Sequence, residues 1–353
     1  MPQKRYIYVT KSIYEHYAAK WDANDNMISP PPHRPYGLYC WTSAFRKHDW
    51  YARILLEADL TDEVMRKTDI IHANITSADW DLCVRIRKRI NSLGLKGKIK
   101  FIGNVDYSVE NWHTTFHDWG AIDTALRSLD YIFSVEPFQA TVLSRILGRN
   151  VPVIEHTGDI LDFKSYRVPN NRRVDRIVVP FHPYLSQFEE TYAAIKGTEL
   201  PVSLVGYIPR TAKVENDVGQ ISEVEIPIQP FFDEVVNRIE YIHFMRFLAE
   251  SKIVFDPYRL HSLGRVGVEC AALGVPFVST DHVQSAKKLF PKVTTRVDDI
   301  EGMRDILDKL INDQRFYNEV VNFAYDKVEE FNFDSQFAKM MKLVNGGYDA
   351  EYK

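Results

Sequence analysis

The sequence predicts an α/β protein of two tandem lobes, each a parallel sheet with helices packed on it, followed by a helical C-terminal tail. Three observations carry this. Short β-rich runs alternate with helical patterns from end to end, as in α/β units wound around parallel strands. At 353 residues the chain is long for one ordinary domain and comfortable for two, each able to bury its own core. A polar stretch without periodicity, "TGDILDFKSYRVPNNRRVD" (157–175), reads as a linker. The expected domains are therefore 1–160 and 161–353.

In the first half, strands are expected at 5–9, 69–75, 98–103, 130–135 and 151–155, with helices at 79–93, 117–128 and 137–147 between them. Residues 21–50, rich in proline and aromatics with no period, read as a long loop too aromatic for plain disorder. The alternation then restarts. Strands are expected at 176–180, 201–206, 222–228 and 252–257, with helices at 185–196 and within 231–250. Helices follow near 283–289, 299–312, 314–330 and 334–344, with those after residue 299 forming the tail. No internal repeat or low-complexity tract interrupts the pattern.

Bulk properties exclude several classes. Hydrophobic content of 45% and charged content of 26% are those of a soluble globular protein. A net charge of −4 gives no overall attraction to nucleic acid or anionic membrane. Cys40, Cys83 and Cys270 are odd in number and widely spaced, which argues against a disulfide framework or zinc ribbon. With no signal-peptide pattern and no membrane span, the expected location is the cytoplasm.

The most informative stretch is "KIVFDPYRLHSLGRVGVECAALGVPFVSTD" (252–281). It reads as a strand, a small-residue loop, a helix starting near Gly264, a break at Gly274-Val275-Pro276, and a second strand. Open parallel sheets bind ligands where strand ends lead into helix N-termini. Free first-turn amides and the helix dipole make an anion site there, and Gly264 would let a phosphate come close. Glu269 lies about one and a half turns further in, placed to accept hydrogen bonds from a ribose diol. The plainer alternative is that Arg265 and Glu269 form an i,i+4 surface pair, contributing a few tenths of a kcal/mol.

Residues 241–281 resemble the donor-binding region of two-lobed retaining glycosyltransferases, the GT-B architecture, of family-4 type. That family carries Glu-Gly-Phe-Gly, four residues, then Glu-Ala-x-Ala-x-Gly-x-Pro, and Gly264, Glu269, Ala272, Gly274 and Pro276 fall on matching positions. The stretch 130–159 is similar to the last unit of the family's N-terminal lobe. The resemblance implies two Rossmann-like domains facing across a cleft, an N-terminal acceptor-side domain and a C-terminal nucleotide-sugar-binding one. It implies His261, Ser262, Leu263, Gly264, Arg265 and Glu269 as donor-binding residues. Two departures stand out. His261 replaces the family glutamate that contacts the donor sugar. The basic pair that neutralises the diphosphate is missing after the first strand of the second lobe, where Arg210, Lys213 or Arg265 would have to substitute.

Elsewhere, "NWHTTFHDWG" offers His113, His117 and Asp118, the candidates for a catalytic, acceptor-side role. A zinc reading lacks a clear third partner. His72 is a further residue the resemblance allows near the cleft. Asp79-x-Asp81 matches a metal-holding pattern of one-domain glycosyltransferases, but reads better as acids at a helix start. "RIRKRINSLGLKGKIK" (85–100) holds seven basic residues and no acid. It reads as a solvated face, or more sharply as a contact for a polyanion such as DNA.

The leading expectation is thus a metal-independent glycosyltransferase, with retention, moving a sugar from a UDP- or GDP-linked donor to an acceptor glycan, small molecule or DNA. No cofactor is expected besides the nucleotide sugar as substrate. The alternatives are a DNA-modifying glucosyltransferase of the same fold, a catalytically degenerate nucleotide-sugar-binding relative, and a sugar-nucleotide epimerase.

Overall fold

A computed structural model describes residues 3–10, 20–21, 27–29, 36–75, 80–105, 108–111, 119–181, 188–206, 211–215, 221–225, 231–237 and 239–348. The chain forms two compact units. The first comprises 1–159, His261–Leu263 and Glu329–Lys353; the second comprises Ile160–Leu260 and Gly264–Val328.

The sheet of the first unit has five parallel strands in the order Tyr51–Leu56, Arg5–Thr10, Ile70–Ile75, Lys100–Val105 and Tyr131–Phe133. Alternation along each strand gives the sheet two different faces. One carries Ile7, Val9, Ile71, Ala73 and Phe101, packed with Leu82, Cys83, Ile86 and Ile90 of the helix Trp80–Ser92 in a single apolar cluster. The other carries Tyr6, Tyr8, His72 and Asn104 beneath the helix Tyr36–Lys47. There the rings of Tyr6 and Phe45 stack 3.8 Å apart, and Trp41 sets its edge against His72 and Phe133. His72 is fully buried, bonded to the Tyr6 hydroxyl at 2.7 Å and to Asn104 Oδ1 at 3.0 Å. It is a core histidine whose polarity is satisfied locally.

The last described helix, Phe333–Val344, belongs to this unit and not to the second domain, where the sequence pattern places it. It lies against Tyr36–Lys47, with Phe337 edge-on to Phe45. Lys339 donates to the buried Glu155 at 2.7 Å, and Lys100 donates to the carbonyl of Val344 at 2.6 Å. Two specific polar contacts and an aromatic one outweigh chain proximity.

The second unit has six parallel strands in the order Glu234–Asn237, Val202–Gly206, Val174–Phe181, Ser251–Asp256, Phe277–Thr280 and Thr294–Thr295. A separate antiparallel hairpin pairs Thr211–Glu215 with Ile221–Glu225. Among the described residues, no helix is long and apolar enough to cross a membrane.

Several elements differ from expectation. The loop expected over 21–50 contains the helix Tyr36–Lys47, whose buried Cys40, Trp41, Ala44 and Phe45 do keep helical spacing. The strand Tyr51–Leu56 was not expected. Residues 151–155 make only an isolated bridge, Ser134 to Val153. The linker contains a short helix, Ile160–Ser165, and 231–250 begins with a strand, Glu234–Asn237, before the helix Tyr241–Ala249.

Candidate donor site

The second unit builds its candidate site where the strand Ser251–Asp256 passes through a four-residue turn and the 261–263 stretch into the helix Arg265–Leu273. The turn is tied down from the neighbouring strand. Ser279 donates to the carbonyl of Asp256 at 2.5 Å, Thr280 donates to the carbonyl of Tyr258, and Tyr258 N–H donates back to the carbonyl of Asp256. Arg259 is held by Glu190 and Asp298, at 3.0 and 2.5 Å.

The helix is fixed at one end and bare at the other. At its C-terminus Arg173 donates to the carbonyls of Leu273 and Gly274, at 2.9 and 2.6 Å, placing a cation on the negative end of the dipole. At its N-terminus Gly264 is the cap residue, with φ +69°, and has no side chain to cap the first amides. Gly264 has a different reason from the one its position suggests. A Cβ there would stand 2.1 Å from Val283 and 2.8 Å from the Ser285 hydroxyl. The glycine is required by packing against the helix Gln284–Leu289 and by its left-handed backbone, before any ligand is considered.

Glu269 has no exposed surface. Its Oε1 accepts from Arg265 Nε at 2.7 Å and from the Tyr241 hydroxyl at 2.8 Å. The Arg265 guanidinium lies 4.7 Å over the Tyr241 ring. The i,i+4 pair therefore exists, but it is buried at the carboxylate and not a surface pair. Oε2 is buried with no hydrogen-bond partner among the described residues. A buried carboxylate oxygen without a partner is costly, and this is the one feature of the helix its own packing does not explain.

Asp256 ends the strand that leads into the turn. No described side chain hydrogen-bonds its carboxylate, and burial alone pushes its pKa up from 3.8 to about 7.

His261 lies in the stretch that groups with the first unit. Glu110 grips it twice there, accepting from its backbone N–H and bonding its ring Nδ1, both at 2.7 Å. The imidazole stacks on Phe138, with centroids 4.3 Å apart. Burial pushes the Glu110 carboxyl up, but hydrogen bonds from Ser108 and from the backbone and ring of His261 outweigh this and hold it below its usual value. Ser262 is partly buried and Leu263 is buried in the same stretch. His113, His117 and Asp118 lie outside the described residues, as do Asp79 and Arg210, and the Lys213 side chain is not described.

Asp81 sits in the first turn of its helix and pairs with Arg85, as a helix-start acid would. Arg85 also forks onto Glu57, Arg87 binds Asp130 at 2.6 Å, and Arg89 binds Asp62 at 2.7 Å. The arginines of the basic segment thus carry their own counter-charges. Sequence reasoning missed Tyr241, Glu110 and Asp256. Asp256 alone left a signal, as a lone acid at the end of an apolar strand.

No protein-family model matches the chain, and no curated protein matches it in sequence. Solved structures do match. An alpha-glucosyltransferase in complex with UDP and a 13-mer DNA containing an HMU base has a TM-score of 0.64 and 11% identity, covering 98% of this chain and 100% of that one. Sucrose-phosphate synthase from Thermosynechococcus elongatus has a TM-score of 0.66 and 12% identity, covering 99% and 100%. Anabaena HepE, in complex with UDP and glucose, has a TM-score of 0.63 and 13% identity, covering 98% and 100%. At these identities the likeness is one of fold: the chain has the GT-B architecture of these proteins over almost its whole length.

The Asp256 carboxyl gives a pH test. Its folded pKa is raised above the unfolded value, so the stability it contributes is present below about pH 4 and lost as pH rises through about 7. Asp256→Asn should therefore gain on wild type over that interval, with a plateau above pH 8 on the order of 1–2 kcal/mol after allowing for screening of a partly exposed group. Urea denaturation at pH 5 and pH 8 measures it; equal gaps at the two values would mean the carboxyl titrates normally.

Proposed function

We propose that this protein is a glycosyltransferase that takes a sugar from a nucleotide-diphosphate donor, UDP-linked in preference to GDP-linked, and passes it to an acceptor. The carrying observation is Glu269, a buried carboxylate with one oxygen unpartnered among the described residues, on a helix whose cap residue, Gly264, offers no capping side chain. Those two features suit the two ends of a nucleoside diphosphate. Backbone amides donate to the phosphates, helped by the positive end of the dipole, and the carboxylate accepts from a ribose hydroxyl. The fold likeness to proteins solved with UDP supports the choice of base.

In this reading the helix start stabilises the departing diphosphate as negative charge develops on it, a positioning and electrostatic role. Transfer proceeds with retention and without a metal, since fixed dipoles replace a bridging cation. His261, held by Glu110, replaces a sugar-contacting carboxylate with an imidazole–carboxylate pair. His113, His117 and Asp118 remain candidates on the acceptor side.

A second reading, DNA as acceptor, is favoured by one observation: the alpha-glucosyltransferase solved with DNA covers 98% of this chain in fold. The paired state of Arg85, Arg87 and Arg89 argues against their segment as the contact strip. If duplex DNA binds in low salt, replacing all three arginines with glutamine should leave its affinity unchanged. A steep loss would make the segment a phosphate contact.

Glu269→Gln should weaken UDP binding about ten- to a hundredfold in calorimetric titration, the loss of one charge-assisted hydrogen bond. Because Arg265 and Tyr241 also hold the carboxylate, stability should fall too, by roughly 1–3 kcal/mol. Unchanged UDP affinity in the variant would sink the donor-site assignment. Sugar transfer should persist in EDTA; full loss with rescue by manganese would show that a metal bridges the diphosphate.

A further inference from the structure

The contacts of Glu269 raise a difficulty for any ligand. Its side chain has no exposed surface, and its unpartnered Oε2 is enclosed as well. A hydroxyl can reach the carboxylate only if something above it moves. Two side chains bond it, and they differ in how they are held. Tyr241 stands at the first position of the helix Tyr241–Ala249 and reaches Oε1 through a short, rigid ring. Arg265 reaches the same oxygen through a flexible stem, and its side chain is 33% exposed.

Arg265 is also the first residue of the helix Arg265–Leu273, so its own backbone belongs to the uncapped turn that suits an anion. An arginine side chain has many rotamers, so its guanidinium is not confined by its stem to the carboxylate one turn inward. A guanidinium suits either partner, because its planar fork binds carboxylate and phosphate alike.

We propose that Arg265 makes this site select nucleotides over nucleosides: in the empty protein it covers Glu269, and it yields that carboxylate only to a ligand that brings a replacement anion. A nucleoside alone has to strip the cation from Glu269 and leave it without a counter-charge. A nucleoside diphosphate offers its ribose hydroxyl to Glu269 and its phosphates to Arg265 in one event. The phosphates thus contribute twice, by their own contacts and by releasing the carboxylate. The inference rests on the donor-site reading above and adds to it a coupling between the two halves of the ligand.

Coupling of this kind is reciprocal and can be measured in the wild-type protein. Uridine affinity is titrated with and without saturating inorganic pyrophosphate. The expected result is that pyrophosphate tightens uridine binding about three- to tenfold, the range of a modest coupling free energy. The same titrations on Arg265→Met, which keeps a long apolar side chain against Tyr241, should show no coupling. In that variant uridine alone binds tighter than to wild type, and UDP binds about ten- to a hundredfold weaker, as expected for loss of charged contacts.

If Arg265→Met does not fold, Arg265→Lys keeps the cation and the wild-type coupling is still readable. Pyrophosphate that leaves uridine affinity unchanged, or competes with it, overturns the proposal while the donor site stands. Failure of every form to bind uridine and UDP removes the donor-site reading and this inference with it.

Discussion

A carboxylate enclosed in a helix of small apolar residues sets the terms for the second unit. Glu269 can be buried there only if neighbouring groups match its polarity, and the matching groups come from two elements: Arg265 one turn back on its own helix, and Tyr241 at the start of another. For both to reach one oxygen, the helix must sit close to its neighbours. Gly264 and Gly267 let the helix sit close to Val283, Ser285 and Phe277, since a Cβ on either would strike Ser285 and a second side chain. Arg173 takes the opposite end of the helix, so its dipole is compensated where it is negative and left open where it is positive.

The first unit buries polar groups as well. Its sheet places Tyr6, His72 and Asn104 on one covered face and lets them bond one another. That network rigidifies and presents nothing outward. His261 and Glu110 also bond one another, with the imidazole stacked on Phe138, but both side chains stay partly exposed. Around the helix Arg265–Leu273, Glu269 Oε2 has no hydrogen-bond partner among the described residues, as is also true of Arg87 Nη1 and Gln336 Oε1 in the first unit. A buried polar atom without a partner calls for an explanation, and a ligand that completes it is one.

The parallel sheets and most helices were legible in the sequence, because buried strands such as Ile70–Ile75 and amphipathic helices such as Ile300–Asn312 state their period plainly. The helix Tyr36–Lys47 was not, although its buried positions keep helical spacing; the prolines and aromatics upstream hid its start. At the site, Gly264 and Glu269 were singled out by spacing, but the reason for Gly264 lies in Val283 and Ser285, some twenty residues away. Tyr241 and Glu110 were invisible for the same cause. Their roles come from tertiary neighbours at separations of 28 and 151 residues, which no local pattern records.

The return of Glu329–Lys353 to the first unit bears on how the protein is made. A ribosome delivers the sheet strands of that unit first, yet the partner of the helix Tyr36–Lys47 emerges only after the whole second unit has been synthesised. Lys100 waits 244 residues for the carbonyl it binds. Until then the early lobe exposes the Phe45 edge that Phe337 will cover and keeps Glu155 without its lysine. Long-range closure of this kind slows folding and prolongs exposure of apolar surface. A fragment cut at the apparent linker would retain that unfinished state permanently.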